Sequence, residues 1–424
     1  MIATAESRLF LERIVLENVR SIEHLDLPVT RADGIRRWTF LLGENGSGKT
    51  TLLRSIALAL AGSEAMPELL GTPADWVRRG KDEARIIVWL RTAAGEPRHG
   101  ALVIHREDTI RDVFSRNVGL LEELDAAFRH THRSYFTAAY GVSRKPAEDE
   151  ASVRPKSRFR DPRAQSVASL FWPDYALTPL ETWAMDLDYR HPRGYDLVRE
   201  AIDTLMPGIR LERIDRANRE LIFHTPDGEI PYRLLSDGYQ NVAAWAGDLL
   251  YQITNVFQDY ENPFAARGLL LIDEIDLHLH PIWQRGVMRF VEDRFPHLQV
   301  VATTHSPLTV HQAGEGELFF LRRRAANAPA QLFSYDGAPR DLMLHQLLTS
   351  PVFGLTTLDS RPIEEMKDEY RYLRDLRTRS TAETDRLREL SAELEDLPDW
   401  TDGIQGQDEV KALMRDIRDQ LARG

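Results

Sequence analysis

Eight residues constrain this chain more than any others: Gly43-Glu44-Asn45-Gly46-Ser47-Gly48-Lys49-Thr50. They follow the uncharged run Trp38–Leu42, which predicts a short buried strand. They precede residues 50–62, whose apolar spacing predicts a helix ending at Gly62. A glycine-rich turn between strand and helix is the setting in which G-x-x-x-x-G-K-[ST] cradles phosphate. Its glycines let successive backbone N–H groups turn toward phosphate oxygens, and the helix presents its positive N-terminal end to the same anion. Asn45, Gly46, Ser47, Gly48, Lys49, Thr50 and Thr51 are therefore the expected nucleotide contacts, with Lys49 on the β- and γ-phosphates and the Thr50 hydroxyl on Mg²⁺.

A second feature lies downstream. Leu269-Leu270-Leu271-Ile272 predicts a buried strand that delivers Asp273 and Glu274 to its C-terminal end, where open α/β sheets bind ligands. Asp273 is the expected partner of Mg²⁺. Glu274 is placed to polarise an attacking water as general base. Further predicted strands are 298–303, and 85–91 paired with 101–106; residues 9–28 read as a half-buried strand or hairpin. Strands alternating with helices imply an α/β fold around a mixed, mostly parallel sheet. Residues 144–163 are polar, charged and proline-containing and predict an exposed loop, and residues 167–206 predict helix.

Composition narrows the chemistry. The chain has 424 residues and no cysteine, so disulfides, thiolate metal sites and cysteine nucleophiles are excluded. No apolar run reaches the length of a membrane helix, and the N-terminal MIATAESRLFLERI lacks the apolar core of a signal peptide. The expectation is a cytoplasmic protein that does not span a membrane. A net charge of −12 opposes non-specific binding to nucleic acid, so DNA or RNA contact would need a local patch. Arg154, Lys156, Arg158, Arg160 and Arg163 form one such run, which reads equally well as a solvated loop.

Two more motifs set the class. Leu235-Ser236-Asp237-Gly238-Tyr239-Gln240 resembles the LSGGQ signature of ABC ATPases, and Thr303-Thr304-His305-Ser306-Pro307 resembles their switch histidine. Read alone, Ser236 or Asp237 could simply cap a helix. Their order after the phosphate loop and around the acidic strand favours the signature. The resemblance implies that Ser236 and Gly238 contact the γ-phosphate held by a second copy, and that His305 senses that phosphate. Asp237 stands where the signature has its first glycine. Asp276 to Pro281 occupy the position of the D-loop, and His278 and His280 within it read as loop-packing residues.

Asn18-Val19-Arg20-Ser21 resembles the N-F-R-S element of the SMC/RecF/OLD branch, which makes Arg20 a nucleotide contact by resemblance. The glutamine loop of that branch corresponds to Ala138–Arg144, which has no glutamine; Gln165 is the nearest one downstream. The resemblance implies an ABC-type ATPase domain over residues 1–335, with a helical and loop insertion at about 115–230. A helical C-terminal region, 336–424, would serve partner binding or oligomerisation. There Ile363, Met366, Tyr370 and Leu373, then Leu387, Leu390, Leu394 and Leu397, form two short amphipathic stripes that suit a partner surface or ordinary core packing equally. Tyr140-Gly141 with Arg144, the signature and Ser350–Leu355 look like the stand-alone ATPase subunits of Septu-type and retron-linked antiphage systems. That likeness implies ATP and Mg²⁺ as cofactors, a homodimer or higher even oligomer, and a separate effector nuclease. A RecF-like DNA-repair clamp, a transporter motor and a nucleotide-gated scaffold are the alternatives.

Overall fold

The computed structural model describes residues 11–31, 34–91, 95–129, 136–144, 159–191, 193–206, 208–226, 228–256, 267–277, 279, 281–323 and 328–395. The chain divides into two compact units, residues 1–347 and 348–424. The first is built on two sheets. One has six strands in the order Ala330–Ser334, Leu318–Arg323, Trp38–Gly43, Leu298–Thr304, Gly268–Ile272 and Phe136–Tyr140. The last five of these run parallel, and Ala330–Ser334 pairs antiparallel at one edge. The sheet is thus mixed and mostly parallel, as the alternation of elements predicts. Its inner strands are buried on both faces, which is why they read as unbroken apolar runs: every residue of Gly268–Ile272 and of Leu298–Thr304 is buried.

The second sheet is antiparallel, in the order Ile22–Pro28, Leu11–Val19, Glu83–Arg91 and Pro97–His105. Its first two strands are the hairpin expected over residues 9–28, and its last two are the expected pair. The helix Lys49–Ala59 packs against strands of both sheets, with Leu52, Leu53, Ile56 and Leu58 fully or almost fully buried. This helix stops earlier than its apolar spacing predicts. Gly62 does not end it but opens a second helix, Gly62–Leu70, at φ 74°. A β-carbon at Gly62 would collide with the Arg163 guanidinium and lie 2.7 Å from Asp125 Oδ1. Glycine is therefore favoured here by the left-handed φ at the start of the second helix, with the Arg163 and Asp125 side-chain ends packed close against it, and not by helix termination.

That contact also revises the reading of the basic run. Arg154, Lys156 and Arg158 lie outside the described residues. Arg160 is exposed, but Arg163 is held by Asp125 at 2.9 Å and Asp161 at 3.1 Å. Around the sheet edge lie the helices Pro162–Phe171, Leu180–Arg190 and Gly194–Leu205, followed by a small antiparallel sheet of Arg210–Asp215, Glu220–Thr225 and Gly228–Pro231. Residues 348–395 carry two helices, Arg361–Asp375 and Thr381–Glu395, joined by a turn in which Ser380 and Glu383 cap each other. Leu373 and Leu390 are buried, and Arg386 pairs with Glu369 across the helices. One residue of each predicted stripe is thus buried, and Ile363, Met366, Tyr370, Leu387 and Leu394 are half-buried; Leu397 lies outside the described residues. Among the described residues no helix is long and apolar enough to cross a membrane.

One side chain joins the two sheets. Gln299, fully buried, accepts from Leu11 N at 3.0 Å and donates to Leu11 O at 2.8 Å and Arg36 O at 3.2 Å. Gln299→Leu leaves these main-chain groups without their partner and is expected to cost about 2 kcal/mol, read as a lower urea midpoint at unchanged slope. Near the signature, burial pushes the Glu181 carboxyl up to about 7, with Glu220 adding to the rise. Folding then favours the protonated form, so the contribution of Glu181 is fully present below the ordinary carboxyl value and is lost as pH rises to 7. Glu181→Gln is expected to raise the thermal midpoint relative to the parent chain at pH 8 and to leave it nearly unchanged at pH 4.5; a pH series of melting curves checks this.

Candidate nucleotide site

Parallel strands place their C-terminal ends on one edge of the sheet, and the loops that leave this edge carry most of the predicted motifs. Gly43 leads into the phosphate loop, Ile272 into the acidic pair and Thr304 into His305. Tyr140 leads into Gly141–Arg144. Gly46 and Gly48 hold φ of 75° and 106° in the phosphate loop, a conformation that side chains with a β-carbon resist. A β-carbon at Gly48 would also meet Ile22 at 3.1 Å, so the turn of the Leu11–Val19 hairpin lies directly against this loop.

Lys49 begins the helix and is buried, its ammonium donating to Gly43 O at 2.6 Å and Glu44 O at 3.1 Å. Burial lowers its pKa below the ordinary lysine value, against the opposing pull of Asp273 and Glu274. Thr50 Oγ1 donates to Asp273 Oδ2 at 2.6 Å. The other carboxylate oxygen, Oδ1, accepts from Thr303 Oγ1 at 2.6 Å, and the same hydroxyl accepts from Glu274 N at 2.7 Å. Three loops from three strands are therefore tied together at Asp273. Glu274 is partly exposed and sits at φ 49°, in the left-handed region that costs a non-glycine residue on the order of 1 kcal/mol.

These residues fit a nucleotide and a divalent cation. Ser47 Oγ is buried in the loop without a hydrogen-bond partner, and so is Arg20 Nε. Arg20 stands at the hairpin turn at φ 51°, its guanidinium 4.6 Å from the Trp76 ring centre. Burial lowers its pKa, and the charge of Arg54 lowers it further against Asp75. Arg54 comes from the helix after Thr50, donates to Leu170 O at 2.8 Å and is also lowered by burial. Arg20 and Arg54, both half-buried, lower the cost of bringing an anion beside the phosphate loop, because an anion would offset the repulsion that Arg54 exerts on Arg20. A hydroxyl and a carboxylate oxygen 2.6 Å apart, at Thr50 and Asp273, are the hard donors that Mg²⁺ takes, the rest of its shell being water and phosphate.

The remaining predicted residues stand elsewhere. Asn45 is exposed at the tip of the phosphate loop, and Thr51 lies one position inside the helix. His305 follows its strand with an exposed side chain. Ser236 is exposed just before the helix Asp237–Val256, away from the Lys49 cluster in hydrogen bonding. Gly238 approaches Trp283 so closely that a β-carbon would lie 3.4 Å from the indole, and Tyr239 meets the same ring at 4.2 Å between centres. Trp283 belongs to the helix Pro281–Arg294 that follows the D-loop, so signature and D-loop helix pack on each other. His278 and His280 lie outside the described residues.

Arg54 escaped the sequence reading, and Arg144 was named there only for its likeness, without its contacts to the acidic pair. Arg54 carries a signal in retrospect, since it lies one helical turn beyond Thr50. Arg144 reads as part of an exposed loop, yet only 8% of it is exposed. Its Nε donates to Gly141 O at 3.0 Å, and its Nη2 to Glu274 O at 2.6 Å and to Asp273 O. Burial brings its pKa down to about 10 against the pull of Asp273, Asp276 and Glu274. Gln165 instead donates to Phe159 O at 2.9 Å. The strand before Arg144 is anchored to the signature helix: the Tyr140 hydroxyl donates to Asp248 Oδ2 at 3.1 Å, and Asp248 Oδ1 accepts from Thr178 N at 2.8 Å.

Comparison with known proteins agrees with this arrangement. Residues 39–311 match the family described as "AAA domain, putative AbiEii toxin, Type IV TA system". The chain is 28% identical over 368 residues to the Septu protein PtuA of Bacillus mycoides, an alignment covering 85% of this chain and 47% of that protein. It is 32% identical over 125 residues to the "Retron Ec83 probable ATPase" of Escherichia coli, covering 30% of this chain and 23% of the relative. It thus spans about half the length of the first of these relatives and about a quarter of the second. A crystal structure of an SMC head bound to the C-terminal winged-helix domain of ScpA overlaps 77% of this chain and 97% of its own, with 16% identity and a TM-score of 0.44. The family match covers well over half of the sequence and encloses the phosphate loop, the signature-like turn, the acidic pair and His305, so this chain belongs to that AAA domain family.

Proposed function

We propose that this chain binds ATP with Mg²⁺ and hydrolyses it in a site that two copies complete together. The observation that carries the reading is the Thr50–Asp273–Thr303 hydrogen-bond chain, whose Thr50 and Asp273 oxygens could take a divalent cation, next to a buried Lys49 that feels the charges of Asp273 and Glu274. In this reading Lys49 takes the β- and γ-phosphates, the loop N–H groups from Asn45 to Thr51 cradle them, and Arg20 approaches from the hairpin turn. Thr50 and Asp273 would hold Mg²⁺, which would supply charge neutralisation on the phosphate oxygens. Glu274 accepts the proton of the attacking water as its oxygen bonds to the γ-phosphorus and the bond to ADP breaks. His305 meets the γ-phosphate from the neighbouring loop. Ser236 and Gly238 of a second copy close the site, with the N-terminal end of the helix Asp237–Val256 as a further anion contact.

The likeness to Septu and retron proteins supports a role as the sensor or regulator ATPase of an antiphage system, with residues 1–335 as the ATPase and 336–424 as the region for a nuclease partner or for oligomerisation. The exposure of Ser236 supports the two-copy reading.

Three substitutions test it. Lys49→Ala is expected to abolish binding of Mg-ATP. Glu274→Gln is expected to retain binding, to lower turnover about 10²–10⁴-fold, and to accumulate an ATP-dependent dimer in size-exclusion chromatography. Ser236→Arg is expected to stop phosphate release while the isolated subunit binds ATP normally; normal turnover in that variant removes the role assigned to the signature. Purification from the native host tests the regulatory role, which fails if no nuclease or nucleic acid travels with the chain.

A further inference from the structure

Arg144 is a buried cation whose hydrogen bonds go to main-chain carbonyls. Its Nη2 meets the carbonyls of two consecutive residues, Asp273 and Glu274. In an extended strand consecutive residues face opposite ways and could not converge on one nitrogen. They converge here because the chain turns into the left-handed region at Glu274, with φ 49°. From the other side Thr303 Oγ1 accepts from Glu274 N at 2.7 Å. The peptide group before Glu274 is held by Arg144 at its carbonyl and by the Thr303 hydroxyl at its N–H; the one after it is held by Arg144 at its carbonyl and by Thr303 O, which accepts from Ile275 N at 3.0 Å. A left-handed glutamate is a costly conformation that persists when its surroundings over-determine it, and such residues cluster at functional sites. The guanidinium is itself fixed at its base by Gly141 O, at the end of the strand that pairs with Gly268–Ile272.

We propose that Arg144 is a positioning residue for the ATPase reaction, holding the Asp273–Glu274 backbone in the turn that aims the Glu274 carboxylate at the attacking water. This rests on the reading of Glu274 as the general base. Arg144 occupies the loop in which the related branch carries a glutamine, yet its bonds run to the backbone beneath the acidic pair. Its effect on turnover therefore passes through Glu274.

The experiment is a double-mutant cycle on the full chain with Mg-ATP, measuring kcat and KM for phosphate release and ATP affinity by equilibrium dialysis. Arg144→Ala is expected to lower kcat about 100-fold, the scale of a misplaced reacting group, with ATP affinity within about threefold of the parent. Arg144→Lys keeps one nitrogen for the two carbonyls but loses the Gly141 bond, and is expected to recover most of that loss. In a Glu274→Gln background, Arg144→Ala is expected to change the residual rate less than about twofold, because the group it positions is gone. Should Arg144→Ala fail to fold, judged by its melting curve, Arg144→Gln takes its place in the cycle. Retention of kcat within about twofold in Arg144→Ala, or the same fold loss in both backgrounds, overturns the proposal. If Glu274→Gln alone leaves turnover unchanged, the general-base reading falls and this assignment falls with it. If Glu274→Gln stops turnover and Arg144→Ala does not, the positioning role alone is lost.

Discussion

A single buried carboxylate organises the sheet edge. Asp273, 3% exposed, spends one oxygen on the Thr50 hydroxyl and the other on the Thr303 hydroxyl. Those hydroxyls arise from the phosphate-loop helix and from the neighbouring strand, so one side chain fixes the relative positions of three loops. A buried carboxylate left unpaired would be expensive, and the two short hydrogen bonds offset that cost while keeping the charge near the phosphate loop. Lys49, Glu274 and Arg144 then take their places around a point already set. The two sheets around them serve the same end: Gln299 binds the N-terminal strand to the central sheet, so the hairpin turn that carries Arg20 is held against Gly48.

Much of this edge was legible in the sequence because its requirements are local. A glycine that must hold a positive φ, a lysine at the start of a helix and two acids after an apolar run each leave a pattern within ten residues, and the structure places all of them where that pattern implies. The three central parallel strands were legible for the same reason, since burial on both faces leaves no polar alternation to confuse them; the outer two, Phe136–Tyr140 and Leu318–Arg323, were not read as strands. Reading failed where the deciding partner is remote in sequence. Gly62 looks like a helix end, but it starts a second helix at a left-handed φ, packed against the Asp125 and Arg163 side chains. Arg163 looks like part of a solvated basic run, yet Asp125 and Asp161 pair with it. Arg144 sits in a polar stretch, and nothing nearby announces that its guanidinium will meet the carbonyls of residues 273 and 274.

The signature region follows a different logic. Its tertiary contacts run to Trp283 and, through the body of its helix, to Tyr140 by way of Asp248. Within one chain the signature helix is therefore joined to the D-loop helix and to the strand that leads to Arg144. Neither join involves Ser236, which remains at the surface. The motif resemblance supplied the expectation that Ser236 acts on another copy, and the packing explains how an exposed turn can still be held rigid from behind.

The turn at Glu274 sets two demands against each other at one residue. Glycine there would relax the left-handed backbone and so raise the durability of the fold, but it would delete the Glu274 carboxylate; asparagine would accept the geometry with a shorter side chain and no basicity. Evolution toward heat resistance at this position would therefore move away from chemistry, a small instance of conformational cost retained because the work of the molecule needs it.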